Sequence, residues 1–245
     1  MYPECLRIGS FAIYWYGVFV AAGVLLSGSI FQRQSLKQGY SPQLVSSLLF
    51  WLIVWGLIGG RFLHIVVHAP YYYRRPFDII RIRNGGLAIE GAVISALIFV
   101  NIYSRIKRFN LREMLDIIAL ATPLGQAIGR IGCFFNGCCY GRPTEFFTGV
   151  RFPFSPDKLH PTELYYSALY IVLFIFLREL FKRRLKPGIV FSFYLLGFAF
   201  IRYVVDILRG DLVLTFVGLY ATQIIALVLF IIGIGWLISI LSENR

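Results

Sequence analysis

The stretch Gly129–Thr144, GRIGCFFNGCCYGRPT, concentrates the residues of this chain that could do chemistry. It closes an apolar run with Arg130 and Arg142, Asn136, three cysteines and four glycines (129, 132, 137, 141). An arginine placed in an apolar segment must face the protein interior or water and must find a partner. Its guanidinium is a rigid fork of donors that matches phosphate oxygens and keeps its charge when desolvated. The stretch therefore reads as the place where the chain meets an anionic ligand, most simply a phospholipid head group.

Other residues extend the set. Arg202 is followed one turn later by Asp206, and Arg209 lies one turn beyond on the same helix face. They read either as ligand-binding groups or as an ion pair that only ties helices together. Glu90 follows a glycine pair in NGGLAIEGAVISA. A carboxylate entering an apolar helix suits proton abstraction, and it equally suits a salt bridge to Arg61 or Arg130. Cys133, Cys138 and Cys139 raise the question of zinc, but adjacent cysteines without a CxxC pair make a poor tetrahedral set. No metal is expected; a disulfide or packed thiols are the alternatives. His160, in LHPTELYYSA, reads as a loop histidine that orients the helix starting at Pro161 and Thr162. Tyr14, Trp15 and Tyr16 form an aromatic group of interfacial type. The segment 69–84, with its tyrosines and arginines, reads as an amphipathic piece resting on the membrane surface.

These residues need apolar helices to position them. The chain has 245 residues, 58% of them hydrophobic and only 15% charged, with a mean hydropathy of +0.72. A soluble domain is about one-quarter charged, so the composition predicts an integral membrane protein. The net charge of +12 then belongs to basic loops and anionic lipid rather than to nucleic acid. Seven stretches approach the ~20 residues a spanning helix needs: 11–31, 44–67, 86–104, 114–135, 164–181, 189–208 and 213–241. The expected fold is all-α and polytopic, with seven transmembrane helices in a single domain, 1–245. Met1–Ser10 holds Pro3, Glu4 and Arg7, so no cleavable leader is expected and the first run reads as a retained span. Lysine and arginine are more numerous in the loops that fall inside when the N-terminus is outside, which predicts a cytoplasmic C-terminus. In that orientation Tyr16, Arg61, Glu90, Arg130, Arg202 and Asp206 share the outer half of the membrane, pointing to an outward-facing polar cavity.

With these residues in order, the chain resembles the prolipoprotein diacylglyceryl transferase family. The resemblance rests on YWYG (14–17), GGR (59–61), GGLAIEG (85–91), the 129–144 stretch, HPTELY (160–165) and RYVVDILR (202–209). It implies a multi-pass enzyme of the bacterial cytoplasmic membrane with its active site facing the outer leaflet. Such an enzyme moves the diacylglyceryl group of phosphatidylglycerol to the lipobox cysteine of a prolipoprotein and releases glycerol phosphate, with no cofactor. It further implies that Arg130 and Arg202 hold the head group, that Tyr16, Asn136 and Gly141 belong to the site, and that Arg61 supports it. Arg142, His160, Asp206 and Arg209 lie in the same motifs and are taken as binding residues. The chain departs from the family pattern at Glu90, where a histidine is usual, which makes Glu90 the candidate base. It also departs at Cys133, Cys138, Tyr166 and Phe198. Two other readings stay open: a paralogue that uses phosphatidylglycerol with a different acceptor, and a non-catalytic lipid-binding or transport protein. No inverted repeat favours the transporter.

Overall fold

Helix boundaries fall where the local chemistry asks for them. Ser41 caps the helix that begins at Pro42, its hydroxyl accepting from the Leu44 amide at 3.3 Å, and the proline takes a first-turn place where no N–H is needed. Asp116 is buried and accepts from the amides of Gly188 and Phe191, each at 2.7 Å, satisfying donors at the start of another helix. A computed structural model describes residues 4–9, 11–80, 86–212 and 218–243. Their order is β1 (Glu4–Ile8), β2 (Phe11–Tyr14), α1 (Trp15–Lys37), α2 (Pro42–Val67), α3 (Ala69–Arg74), a 3-10 turn (Pro76–Ile79), α4 (Ile89–Lys107) and α5 (Leu111–Asn136). There follow β3 (Val150–Arg151), β4 (Lys158–Leu159), α6 (Thr162–Lys182), α7 (Ile189–Asp206) and α8 (Ala221–Ser242).

Six helices among the described residues are long and apolar enough to cross a membrane: α1, α2, α5, α6, α7 and α8. This corrects the expectation of seven. The stretch 86–104 becomes α4, which carries Glu90 in its first turn and Asn101, Ser104, Arg105 and Lys107 toward its end. Its uninterrupted apolar middle is shorter than the ~20 residues a span requires. The first stretch, 11–31, is corrected too, since 11–14 pair with 4–8 as an antiparallel hairpin. The hairpin turns at Gly9, whose φ is +61°, a conformation that glycine adopts at no steric cost. Of the last stretch, 213–217 lie outside the described residues.

The chain forms two compact units, Met1–Phe31 with Leu115–Arg245, and Gln32–Met114. In the second, α2 and α4 meet through small residues. A Cβ on Gly59 would lie 2.1 Å from Ser95 Oγ and 2.5 Å from the Gly91 carbonyl, and one on Gly91 would lie 2.3 Å from the Gly59 carbonyl. Such close approach is how apolar helices gain contact where no solvent drives them together. Ser95 donates to the Trp55 carbonyl at 2.7 Å across the same seam.

In the first unit, α1 and α5 approach at Gly23 and Gly125, where a Cβ on Gly23 would meet the Gly125 carbonyl at 3.0 Å. Trp15, Phe19 and Phe135 cluster near the end of that seam, with the two phenylalanine rings stacked at 5.3 Å, a separation at which aromatic pairs attract. α6 and α7 meet where Gly197 faces Leu173. Large side chains such as Leu25, Phe62 and Ile231 are exposed while Arg202, Asp206 and Glu163 are buried. That inversion is expected of helices whose solvent is hydrocarbon.

Candidate active site

Asp206 is the centre of the polar cluster in the first unit. At the end of α7 its carboxylate is fully buried, and four groups converge on it. Arg202 Nε lies 3.3 Å from Oδ2 and Arg209 Nη1 lies 3.7 Å from Oδ1. The Tyr166 hydroxyl donates to Oδ1 and the Thr222 hydroxyl donates to Oδ2. The spacing of 202, 206 and 209 thus produces the one-face arrangement read from the sequence. Arg209 is further held by Asp211, at 2.6 and 2.8 Å. Burial works against its charge, but Asp211 and the nearby Cys139 and Asp206 raise its pKa above the ordinary arginine value.

Arg130 is placed differently. It projects from α5 over the ring of Tyr166, with its guanidinium carbon 4.1 Å from the ring centroid, within the range of a cation–π contact. Among the described residues no carboxylate comes within salt-bridge distance of it and no hydrogen bond fills its donors. One aromatic side chain therefore supports two arginines: its face carries Arg130, and its hydroxyl fixes the carboxylate that holds Arg202. Tyr166 was visible in the sequence only as a departure from a family pattern, and Thr222 gave no signal.

The signature loop is fixed by its backbone. Gly141 donates to the His160 carbonyl at 2.8 Å, Arg142 donates to Leu208 at 2.8 Å, and His160 donates back to Arg142 at 3.1 Å. A Cβ on Gly141 would lie 2.5 Å from His160 Cβ and 2.7 Å from the Leu208 carbonyl, so only glycine fits this crossing. The side chain of Arg142 reaches the Arg209 carbonyl at 3.3 Å and the Tyr220 hydroxyl. His160 Nδ1 lies 3.2 Å from the Tyr165 hydroxyl, consistent with a residue that orients the start of α6.

Asn136 ends α5 and is exposed, with its side chain beside the Cys138 thiol. Tyr16, in the first turn of α1, is 45% exposed and within electrostatic reach of Arg130 and the three thiols. Cys133, Cys138 and Cys139 are free thiols. Hydrogen bonds from Cys133 and Cys138, then the charges of Arg130 and Arg209, hold the Cys139 thiol below its ordinary pKa, since both kinds of contact favour a thiolate. The Cys138 thiol is raised: the Cys133 contact lowers it, but the Cys139 contact and burial outweigh that.

In the second unit Arg61 is buried in α2, and its nitrogens are occupied. They donate to the carbonyls of Ile79 at 3.0 Å, Gly86 at 2.9 Å and Asp78 at 2.5 Å. The guanidinium also sits over the Tyr72 ring, 5.3 Å from its centroid. It fastens the segment after α3. Glu90 opens α4, but its side chain lies outside the described residues, as do Arg81 and Arg83 of the 69–84 segment.

An arginine stacked on a tyrosine ring and a buried arginine–carboxylate network, joined by a glycine-locked loop between spanning helices, define a multi-pass membrane protein with a polar cluster in its interior. Comparison with known proteins narrows the class. The profile of prolipoprotein diacylglyceryl transferase matches residues 3–239, and the chain belongs to that family. It is 35% identical over 239 residues to the phosphatidylglycerol–prolipoprotein diacylglyceryl transferase of Clostridium tetani, covering 96% of each chain. Its identity to the enzymes of that name from Fervidobacterium nodosum and Symbiobacterium thermophilum is 34% in both cases. Those matches cover 97% and 95% of this chain, and 85% and 90% of the relatives. The spanning helices and these relatives make it a multi-pass protein of the bacterial inner membrane.

Proposed function

We infer that this protein transfers the diacylglyceryl group of phosphatidylglycerol to a prolipoprotein. The observation that carries the reading into chemistry is the donor fork of Arg130, which rests on the Tyr166 ring and meets no hydrogen-bond acceptor among the described residues. A fork with two or more free N–H groups matches a phosphodiester bidentately. The acceptor is a cysteine thiol of the prolipoprotein lipobox. A base takes the thiol proton, and the thiolate attacks the terminal glycerol carbon of the diacylglyceryl group. The carbon–oxygen bond to phosphate breaks, and glycerol phosphate leaves with the electron pair. Arg130 offsets the negative charge that grows on the leaving phosphate, a contribution that matters most where water is excluded.

Arg202 takes part through the Asp206 network, which keeps its charge beside Tyr166 at a fixed distance. Gly141, Arg142, Arg209 and His160 hold the loop that follows Arg130, while Tyr16 and Asn136 border the thiols. Glu90 is the proton acceptor proposed from the sequence. The whole chain, 1–245, acts as one transferase domain, and the site faces the outer leaflet, where secreted prolipoproteins present their lipobox.

The test uses vesicles containing phosphatidylglycerol labelled in its head group, with a lipobox peptide as acceptor. Glycerol phosphate should appear in step with lipidated peptide, and neither should form when the peptide cysteine is serine. Glycerol phosphate release without peptide lipidation would move the acceptor elsewhere. No release at all would refute the reading.

A further inference from the structure

We propose that Cys133, Cys138 and Cys139, together with the carboxylate of Glu163, form a binding site for one thiophilic divalent cation, Zn²⁺ in the first instance. The sequence argues against such a site, because two of the cysteines are adjacent. The fold removes that objection. The backbone turns through left-handed conformations at Gly137 (φ +69°) and Cys139 (φ +70°). Consecutive residues are thereby redirected, and the three sulfur atoms come to lie within 4.8 Å of one another.

The second observation comes from a different element. Glu163 lies in the first turn of α6 and is fully buried, yet among the described residues no other residue hydrogen-bonds to its carboxylate, whose backbone contact is its own amide. A buried carboxylate with so little compensation is costly and needs an explanation. The ionisable groups that act on it are Cys139, Arg130 and Arg209, and its neighbour Thr162 donates to the Cys139 carbonyl. Glu163 therefore stands beside the thiol loop. The cluster within 4.8 Å holds the three sulfurs and no Glu163 oxygen, so a change of the Glu163 rotamer brings in the fourth ligand, completing a set of the kind a borderline-soft d¹⁰ ion accepts. Metal binding would release the thiol protons, and the arginines favour the thiolates that remain. Three thiolates and a carboxylate around a divalent ion carry a negative excess, which Arg130 and Arg209 answer. The metal would clip the signature loop to the start of α6. A disulfide between any two of the thiols would leave the third thiol and the Glu163 carboxylate unexplained.

The experiment uses full-length protein in detergent, reduced with a phosphine, loaded with Zn²⁺ and freed of excess by gel filtration. Metal is then counted per chain, and Cd²⁺ titration is followed through its thiolate charge-transfer band. We expect one Zn²⁺ per chain in the wild type and in Cys5→Ser. Cys138→Ser should weaken binding by more than the roughly 10–100-fold that loss of a supporting outer-shell group causes. Glu163→Gln, which keeps the side-chain shape, should weaken it too, and this second variant decides the matter if Cys138→Ser does not fold. Reduced wild type that retains no zinc, a Cys138→Ser or Glu163→Gln protein that binds like the wild type, or two of the three thiols found joined in a disulfide as isolated would each overturn the proposal. The readout is metal content, so the outcome is independent of the transferase reading.

Discussion

Replacing Asp206 by asparagine keeps the shape of the residue and removes the charge on which the site is centred. With Arg202 and Arg209 at 3.3 and 3.7 Å, Coulomb's law at an effective dielectric of about 20 gives gross attractions on the order of 4–5 kcal/mol each. Desolvation of the buried groups offsets much of that. Removing one partner of a buried ion pair nevertheless costs about 3–5 kcal/mol, because a charge loses its compensation. Here Arg209 keeps Asp211, and an asparagine carbonyl still accepts from Tyr166 or Thr222, so the lower end applies. We expect Asp206→Asn to lose about 3 kcal/mol of stability. Tyr166→Phe removes one hydrogen bond to the same carboxylate and keeps the ring under Arg130, so about 1.5–3 kcal/mol is expected. Both act through one carboxylate, so the double variant should lose less than the sum. Equilibrium unfolding of the purified protein in mixed micelles measures all three. An Asp206→Asn protein within about 1 kcal/mol of the wild type, the range of an exposed pair, would refute the central role given to this carboxylate.

Three further outcomes follow from close contacts. Gly141→Ala drives a methyl group to 2.5 Å from His160 Cβ; the loop must shift, and both folded yield and transfer activity should fall, checked by gel filtration and peptide lipidation. Gly59→Ala, whose methyl group would lie 2.1 Å from Ser95 Oγ, should destabilise the α2–α4 seam by about 1–3 kcal/mol, with Ser95→Gly in the same chain restoring part of it. Arg61→Gln gives up donors to three carbonyls, so it should expose the segment after α3 to protease while leaving the KM for phosphatidylglycerol near its wild-type value. A large KM rise with unchanged protease resistance would return Arg61 to the substrate.

The arrangement around Asp206 could be read from residue spacing alone. Arg202, Asp206 and Arg209 fall on one helix face by simple periodicity, and they are ion-paired in the fold. Arg130 stood out because an arginine in an apolar run needs a reason to be there. What the sequence did not disclose depends on tertiary contact. Tyr166 supports Arg130 and fixes Asp206, but nothing local distinguishes it from the neighbouring Tyr165. Glu163 read as a residue of a helix start, and only burial without a partner from another residue marks it. Arg61 read as a support of the site, and its donors lie on backbone carbonyls that follow it in the chain, a contact that spacing does not reveal. The seventh span was overread for a different reason: glycines and small residues gave 86–104 an apolar tone, while the polar residues at both ends shorten its apolar core.

The most direct test of the account is the transfer rate of Arg130→Lys in vesicles of defined phosphatidylglycerol content, measured by the mass of a lipobox peptide. Lysine keeps the positive charge but lacks the planar fork that grips two oxygens and the flat face that stacks on Tyr166. A folded protein is expected whose rate falls roughly 100-fold or more, the scale for removing a preorganised charge-stabilising donor. A folded Arg130→Lys protein that lipidates the peptide at the wild-type rate would contradict the account.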